Sequence, residues 1–197
     1  MPNTLLLIRH SQSQQEPERP ASQWPLTAEG RRRCIALADR LAAYAPDVIV
    51  TSRERKASET GTLVAAQLGL PIQMADGLHE HQREHVGWLS NQEFEPTVVA
   101  FFTRPDELVF GEETADQAGA RFNAAVRDVI ASYPGQNVAI VAHGTVITLF
   151  VAQHAGMAPL PFWKRLGMPV MVVFSLPELR LLEVIERIES PTSSSLP

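Results

Sequence analysis

The sequence predicts an α/β fold with a mostly parallel sheet that helices cover on both faces. Short, continuous apolar runs alternate with longer stretches in which apolar residues recur at helical spacing, as in strands connected by helices. The apolar runs contain no regular polar alternation, which indicates strands that are buried on both faces. The chain has 197 residues, of which 45% are hydrophobic, and we expect one domain over residues 1–189.

In the first half of the chain, a strand and a helix alternate twice. Leu5–Ile8 is a continuous apolar run, and the polar, proline-containing residues 11–26 predict a loop after it. A helix begins at Thr27, because apolar residues then recur three and four positions apart. Val48–Val50 is a second apolar run. The next helix extends over Lys56–Leu68 to a glycine with a proline just beyond, the usual signals of a helix end.

The second half predicts further strands and helices after a polar, His-rich segment over residues 76–95. Pro177 separates two β segments that can form a hairpin, and the Ser- and Pro-rich residues 190–197 predict a disordered tail. The other predicted elements are a short strand at Ile72–Met74, a weak helical signal over Asn91–Phe102, helices over Gly111–Tyr133 and Val146–Ala155, a strand at Val138–Ala142, and the β segments Val170–Leu176 and Leu179–Ile188.

Composition narrows the classes of function. The formal net charge of −5 argues against a general nucleic-acid binder with a basic face. Cys34 is the single cysteine, so an intramolecular disulfide is excluded and a reducing compartment is expected. The N-terminus lacks the pattern of a signal peptide, and no apolar run approaches the ~18 residues of a membrane span. We therefore expect a cytoplasmic protein that binds neither nucleic acid nor a membrane.

Charged and polar residues follow three of the predicted strands. Arg9 and His10 end the first strand, the segment 51–56 follows the second, and His143–Thr145 follows the strand at Val138–Ala142. In an open parallel sheet, ligands bind beyond the carboxyl ends of the strands. Folding would therefore bring two histidines and several cations into one cleft, and such a cleft suits a phosphate group.

A histidine in such a cleft can act as a nucleophile. Attack of a neutral imidazole on phosphorus gives a phosphohistidine, which water can later hydrolyse. Cys34 lies inside an amphipathic helix, and the sequence contains no glycine-rich phosphate loop of the Walker type. Histidine is therefore the best candidate nucleophile.

The order of these motifs resembles that of the histidine phosphatase superfamily, which includes the cofactor-dependent phosphoglycerate mutases. The resemblance extends along nearly the whole chain. It implies a three-layer α/β/α sandwich with a mostly parallel, six-stranded sheet. The matching stretches are LIRHSQS for the family's Arg-His-Gly-x-Thr, LTAEGRRRC for its first helix, TSRERKASET for Thr-Ser-Pro-x-x-Arg-Ala-x-x-Thr, LHE for Leu-x-Glu, GEET for the Gly-Glu-Ser region and VAHGT for the second histidine.

The resemblance implies a role for each of four residues. His10 would be the phosphorylated nucleophile, Arg9 a phosphate ligand, and His143 the second histidine, cationic when phosphate is bound. Glu80 would donate a proton to the leaving oxygen and then activate water. Burial beside an anionic phosphate would raise the pKa of Glu80 for the first of these steps. The resemblance implies neither a metal nor another cofactor.

Further residues are expected to bind a small phosphorylated substrate. Lys56 occupies the family's second-arginine position, but Arg55 precedes it directly and a shift of one residue would give Arg55 that role. The remaining candidates are Ser13 and Thr145 as hydroxyl donors, Gly144 within the second-histidine motif, and Arg83 as a cation for an acidic substrate.

Three hypotheses for the function follow. The first is a metal-independent phosphomonoesterase, which we favour over a phosphoglycerate mutase because the chain is too short for the longer insertions that close a mutase pocket. The alternative from another class is a catalytically weak protein that binds a phosphorylated ligand. Departures from the family favour that alternative: Ser11 replaces glycine, Lys56 replaces arginine, and Glu16 lies near the position of an asparagine. The sequence leaves the natural substrate and the oligomeric state open.

The segment 79–85 reads HEHQREH and offers histidine and glutamate as metal ligands. Its spacing is not that of His-Glu-x-x-His, so a solvated loop is the preferred interpretation. Outside the motifs, Arg121 is expected on the surface, on the polar side of its helix. Trp88 and Phe94 fit a lid over the site and a packed core equally well.

Overall fold

A six-stranded sheet forms the centre of the fold in the computed structural model, which describes residues 3–190. The strands are β1 (Thr4–Arg9), β2 (Val48–Thr51), β3 (Ile72–Met74), β4 (Val138–Ala142), β5 (Val170–Ser175) and β6 (Leu181–Ile185). The helices are α1 (Ala28–Ala42), α2 (Arg55–Leu68), α3 (Asn91–Thr103), α4 (Ala115–Ser132), α5 (Gly144–Ala155) and α6 (Pro159–Arg165), and a 3-10 turn spans Ala21–Gln23.

The strands follow the order β3-β2-β4-β1-β5-β6 across the sheet. β4 is parallel to both of its neighbours, β1 and β2, and β2 is also parallel to β3. β5 runs antiparallel to β1 and to β6. The prediction of a mostly parallel sheet is therefore confirmed, and the two β segments around Pro177 form the predicted hairpin.

Helices pack on both faces of the sheet, so the fold has three layers. The side chains of β1 alternate between the faces: Leu5 and Leu7 join a core with α4 and α5. Leu6 and Ile8 join the opposite core, with α1 and α2. All four side chains are fully buried, and removing each from water contributes about 1.5–3 kcal/mol. This two-sided burial explains why the first strand is a continuous apolar run.

The predicted helices form with boundaries shifted by a few residues. α1 begins directly after Thr27, whose hydroxyl accepts a hydrogen bond from a backbone N–H in the first turn. α4 begins at Ala115 rather than at Gly111. The reason is a capping box, in which Thr114 and Gln117 each accept a hydrogen bond from the other's backbone N–H.

No pattern in the sequence predicts α6. This helix has 7 residues and contains two prolines, so it is too short to show helical periodicity. Among residues 3–190, no helix combines the length and apolar character needed to cross a membrane. The predicted tail over 190–197 lies, apart from Ser190, outside the described residues.

Gly30 allows α1 to approach the loop that follows β1. A Cβ at Gly30 would lie only 2.2 Å from the carbonyl oxygen of Gln12, whereas a Cβ at Gly119 in α4 would meet its nearest atom at 3.6 Å. We expect Gly30→Ala to lower the free energy of unfolding by about 1–3 kcal/mol, because the backbone must move. Gly119→Ala should raise it by up to about 1 kcal/mol, because alanine favours helix. Urea unfolding measures the free energy of unfolding of both variants. Equal changes in the two would contradict the close contact between Gly30 and Gln12.

Candidate active site

β1 delivers a buried histidine to the carboxyl edge of the sheet. The backbone N–H of His10 donates to the carbonyl oxygen of Ala142 (3.0 Å), so its position is fixed by β4. Nδ1 of His10 lies 2.7 Å from the carbonyl oxygen of Ser11. A carbonyl oxygen can only accept, so Nδ1 carries the proton and Nε2 keeps its lone pair. Burial, and then the charge of Lys56, lower the pKa of His10 well below its ordinary value, so the imidazole is neutral at pH 7.

β4 brings a second histidine against the first. The ring of His143 is fully buried, and its centroid lies 5.3 Å from that of His10. Nε2 of His143 lies 2.9 Å from the hydroxyl oxygen of Ser52 and 3.5 Å from Oε1 of Glu54. Burial, and then the charge of Lys56, lower the pKa of His143 well below its ordinary value. Nδ1 of His143 is buried without a hydrogen-bond partner among residues 3–190.

Arg9 lies beside the two histidines. Its Nη1 donates to the carbonyl oxygen of Leu166 (2.8 Å), while its buried Nε has no partner in the part of the chain that the structure describes. Gly144 makes room for this guanidinium, because a Cβ there would lie 3.0 Å from Nε of Arg9. Gly144 therefore contributes space to the site.

The two neighbouring cations at the start of α2 point to different places. Nζ of Lys56 is buried and donates to the carbonyl oxygen of Ala21 (2.7 Å) and to Oε2 of Glu54 (2.6 Å). Arg55 is exposed, and its Nε donates to Oε1 of Glu59 (2.9 Å). Successive helix residues point about 100° apart, so the pair cannot share one direction. Lys56 therefore lies at the candidate site, and Arg55 does not reach it.

Glu54 belongs to the site although no motif points to it. Its two carboxylate oxygens accept hydrogen bonds from Lys56 and from the backbone N–H of Glu80 (2.7 Å), and its side chain is 11% exposed. Burial alone would raise the pKa of Glu54, but the charge of Lys56 and its hydrogen bond lower it. Glu54 therefore offsets much of the charge of Lys56. In the sequence it is one of several alternating charges, a pattern typical of an exposed turn.

Glu80 approaches the same site from the long segment after β3. Its carboxylate accepts hydrogen bonds from the backbone N–H groups of Thr145 (3.1 Å) and Val146 (3.3 Å), at the positive end of α5. Burial alone would raise the pKa of Glu80, but His143, Arg83 and hydrogen bonds from the backbone N–H groups of His81 and Thr145 lower it. Glu80 is therefore a carboxylate in this arrangement, whereas the resemblance implies a raised pKa in the presence of phosphate.

Ser11, in place of the family's glycine, fits without strain. Its hydroxyl donates to the carbonyl oxygen of Gly30 (2.7 Å), and its backbone N–H donates to the hydroxyl of Thr60 (3.0 Å). Its φ does not lie in the left-handed region, so its Cβ is tolerated. Ser13 pairs with Leu26 through an isolated β-bridge and faces the cavity described below.

Arg121 anchors the segment that carries Glu80, so its expected surface position is wrong. Its guanidinium forms an ion pair with Glu113 (2.6 Å) and donates to the carbonyl oxygens of Gly77, His79 and Glu80. The side chains of Arg121 and Glu113 are only 19% and 8% exposed. Helical periodicity places Arg121 on a polar side but cannot show that another segment covers that side.

The histidines of segment 79–85 do not converge. His81 is buried, with its ring centroid 4.4 Å from that of Phe101 and 4.6 Å from that of Phe110. His85 is exposed, and its Nδ1 lies 3.0 Å from a carboxylate oxygen of Glu112. Within residues 3–190, no three His, Cys, Asp or Glu side chains form a group that could hold a metal ion. His81 and His85 therefore serve packing and a surface contact, respectively.

A cavity of about 380 Å³ opens over these groups. It combines a neutral imidazole, the buried cation of Lys56, the partly buried cation of Arg9 and a carboxylate, a set that can bind a phosphate ester and attack it. His143 is fully buried beside His10 and does not line the cavity. The candidate residues that line it are Arg9, His10, Ser13, Lys56, Glu80, Arg83 and Thr145.

Comparisons with known proteins agree with this geometry. Residues 5–176 match the family model described as the histidine phosphatase superfamily (branch 1). The chain is 26% identical over 156 residues to the uncharacterized phosphatase PhoE of Bacillus subtilis, and the aligned region covers 78% of each protein. It is 25% identical over 159 residues to the probable phosphoglycerate mutase GpmB of Cronobacter sakazakii, and the aligned region covers 77% of this chain and 74% of that protein.

Solved structures share the fold. The structure of YhfR from Bacillus stearothermophilus superimposes with a TM-score of 0.76 at 22% identity and covers 96% of this chain and 98% of that one. A mycobacterial glucosyl-3-phosphoglycerate phosphatase superimposes with a TM-score of 0.73 at 20% identity and covers 96% of this chain and 100% of that one. At these identities the superpositions establish the three-layer fold.

The buried pair of Lys56 and Glu54 predicts a large difference between two neighbouring substitutions. Lys56→Met leaves Glu54 buried without its cation, so we expect the free energy of unfolding at pH 7 to fall by about 3–5 kcal/mol. Arg55→Met removes only an exposed pair and should cost at most about 1 kcal/mol. Urea unfolding of the two variants tests this.

The double variant Lys56→Met/Glu54→Leu distinguishes the effect of an unpaired buried charge from the effect of altered packing of α2. It removes both charges, so most of the loss should be recovered. Equal losses for Lys56→Met and Arg55→Met would contradict the buried ion pair.

Proposed function

This chain belongs to the histidine phosphatase superfamily, and on that premise we propose that it is a metal-independent phosphomonoesterase that works through a phosphohistidine on His10. Membership and the names of its relatives support phosphoryl transfer of the phosphatase or mutase type. The observation that carries the finer proposal is the state of His10. Its Nδ1 is tied to the carbonyl of Ser11, its imidazole is neutral, and it lines a cavity between Arg9 and Lys56.

In the first step, the lone pair on Nε2 of His10 attacks the phosphorus of a bound monoester. A P–N bond forms while the bond from phosphorus to the ester oxygen breaks. The cations of Arg9 and Lys56 bind the non-bridging oxygens and stabilise the charge that they carry in the transition state. The bound phosphate dianion raises the pKa of Glu80, which takes up a proton from solvent and then donates it to the leaving oxygen.

In the second step, water attacks phosphorus and the P–N bond breaks. Glu80, now a carboxylate, accepts a proton from that water, and the electron pair of the broken bond returns to Nε2 of His10. The products are the alcohol, inorganic phosphate and the enzyme in its starting state. The hydrogen bond from Nδ1 to Ser11 holds the imidazole in one orientation through both steps.

His143 has a supporting role in this proposal. Its pKa is low beside Lys56, but a phosphate dianion bound next to His10 favours the imidazolium. Glu54, 3.5 Å from Nε2, would stabilise that imidazolium. His143 would then add a positive charge when phosphate is present.

One observation favours a second candidate, a protein that binds a phosphorylated ligand without efficient turnover. Lys56 already donates to Glu54 at 2.6 Å, so a phosphate must compete with a buried carboxylate for the same ammonium. Such competition weakens phosphate binding and its stabilisation in the transition state. The assay below distinguishes the two candidates.

We expect the wild type to release phosphate from p-nitrophenyl phosphate in the presence of a metal chelator. His10→Ala should lower kcat by at least about a thousandfold, because the nucleophile is gone. His85→Ala, a substitution of an exposed histidine in the surface segment, is the matched control and should retain activity. Mass spectrometry of the quenched wild type should detect a phosphorylated His10.

The same assay with 3-phosphoglycerate separates the remaining alternatives. Isomerisation without phosphate release would indicate a mutase. Phosphate binding without turnover would indicate the binding protein. Chelator-sensitive turnover that His10→Ala leaves intact would contradict the proposed mechanism.

If Glu80 is the general acid, the loss of activity in Glu80→Gln should depend on how much the leaving group needs a proton. A poor leaving group such as an alkyl alcohol needs a proton, whereas p-nitrophenolate does not. We therefore expect the variant to lose about a hundredfold or more in kcat/KM for alkyl phosphates and about tenfold or less for p-nitrophenyl phosphate. Equal losses for both esters would remove Glu80 from the role of acid.

A further inference from the structure

All of the tryptophans in this protein line the same cavity. The sequence contains three, and Trp24, Trp88 and Trp163 each contribute to the cavity wall. They come from the loop before α1, the segment before α3 and α6, which are far apart in the chain. Phe94 adds a fourth aromatic ring. A wall that several segments build from aromatic side chains is typical of a binding site for an apolar group.

Core packing accounts for Phe94 and Trp163, which pack against a buried cluster, but it does not account for Trp88. Trp88 is 48% exposed, and its ring centroid lies 6.0 Å from that of Trp24. Nε1 of Trp24 donates to the carbonyl oxygen of Glu16 (3.0 Å), which fixes the ring in position. A half-exposed indole beside another indole in a cavity presents an aromatic surface to a ligand.

The charged residues around this wall balance one another. Arg19 and Arg83 line the cavity, but so do Glu18 and Glu84. Arg19 lies 3.4 Å from a carboxylate oxygen of Glu16. A carboxylate on the substrate therefore meets no excess of positive charge here, unlike a phosphate at the floor of the cavity.

Arg83 lies against the aromatic wall. Its guanidinium carbon is 4.9 Å from the centroid of Phe94, a distance typical of a cation–π contact. This contact orients Arg83 along the wall and makes its planar group part of a surface on which another flat group can stack. We assign Arg83 a stacking role in this wall, while its expected contact with an acidic substrate stays a prediction.

We propose that the alcohol part of the substrate carries a planar aromatic ring, which stacks on Trp88 while the phosphate lies at His10. This inference rests on the proposed phosphatase function and names the substrate class. The cavity of about 380 Å³ falls in the range of small-molecule sites, roughly 300–1,000 Å³, and so has room for a ring beside the phosphate.

The test compares esters that differ in the ring but have leaving groups of similar basicity. Benzyl phosphate and cyclohexylmethyl phosphate both release a primary alkoxide, and adenosine 5′-monophosphate and ribose 5-phosphate form a second pair. We expect kcat/KM to be about tenfold higher for the aromatic member of at least one pair, as a stacking contact of about 1.4 kcal/mol would give. The first pair reports a simple aryl group and the second a nucleoside. No aromatic preference in either pair would overturn the inference.

A substitution tests whether Trp88 is responsible for the preference for aromatic esters. Trp88→Ala should reduce the ratio of kcat/KM for the aromatic ester to that for its partner by about threefold to tenfold, and Trp88→Phe should restore much of it. Leu182→Ala is the matched control, because Leu182 is 46% exposed, lies on β6 and does not line the cavity. An unchanged ratio in Trp88→Ala would show that Trp88 does not contact the ring.

A binding measurement separates the inference from the proposed function. By titration calorimetry, benzylphosphonate, which has no ester bond to cleave, should bind the wild type at least about tenfold more tightly than methylphosphonate. Tighter binding without turnover of any ester would support the aromatic site while the phosphatase proposal fails. Turnover of all esters with equal binding of both phosphonates would overturn the aromatic site and leave the phosphatase proposal standing.

Discussion

The parallel pairing of β1 with β4 is the interaction on which the site depends. It aligns Arg9 with Ala142, and one further hydrogen bond, from His10 to Ala142, extends the pairing to the edge of the sheet. Each strand is followed directly by a histidine, so the register alone places the two rings 5.3 Å apart. A shift of one residue would turn one of them to the opposite face. The fully buried run Leu5–Ile8 makes such a shift costly, because it would also exchange the side chains of the two cores.

Burial at this edge of the sheet sets the charge of each group. The two histidines are neutral because desolvation and nearby cations disfavour their charged forms. Glu54 and Glu80 remain carboxylates because each has close partners: Glu54 has Lys56, and Glu80 has the N–H groups at the start of α5. The neutral imidazole of His10 and the paired charges thus have one cause, the low polarity of their surroundings. The site can tolerate few additional charges without loss of stability.

The sequence predicts those features of the structure that depend on short stretches of the chain. Apolar runs and helical spacing give the strands, most helices and the positions of Arg9, His10 and His143 at strand ends. The roles of Glu54 and Arg121 depend on contacts between distant segments, which no local pattern encodes. Arg121 lies 41 residues from Glu80 yet donates to its carbonyl oxygen. The choice between Lys56 and Arg55 required the direction of α2 relative to the sheet, since both fit the same motif.

The reactive groups and the cavity wall belong to different parts of the structure. His10, Lys56 and Thr145 lie where β1 ends and where α2 and α5 begin, in the most buried layer of the fold. The wall comes from loop residues and short helices outside the sheet, and Trp88 is half exposed. A substitution of Trp88 therefore changes few contacts of the core, whereas a substitution at the strand ends disturbs the buried layer that holds the candidate site. Under the proposed function, the choice of alcohol could change while the phosphate chemistry stays the same, because different segments would hold each half of the substrate.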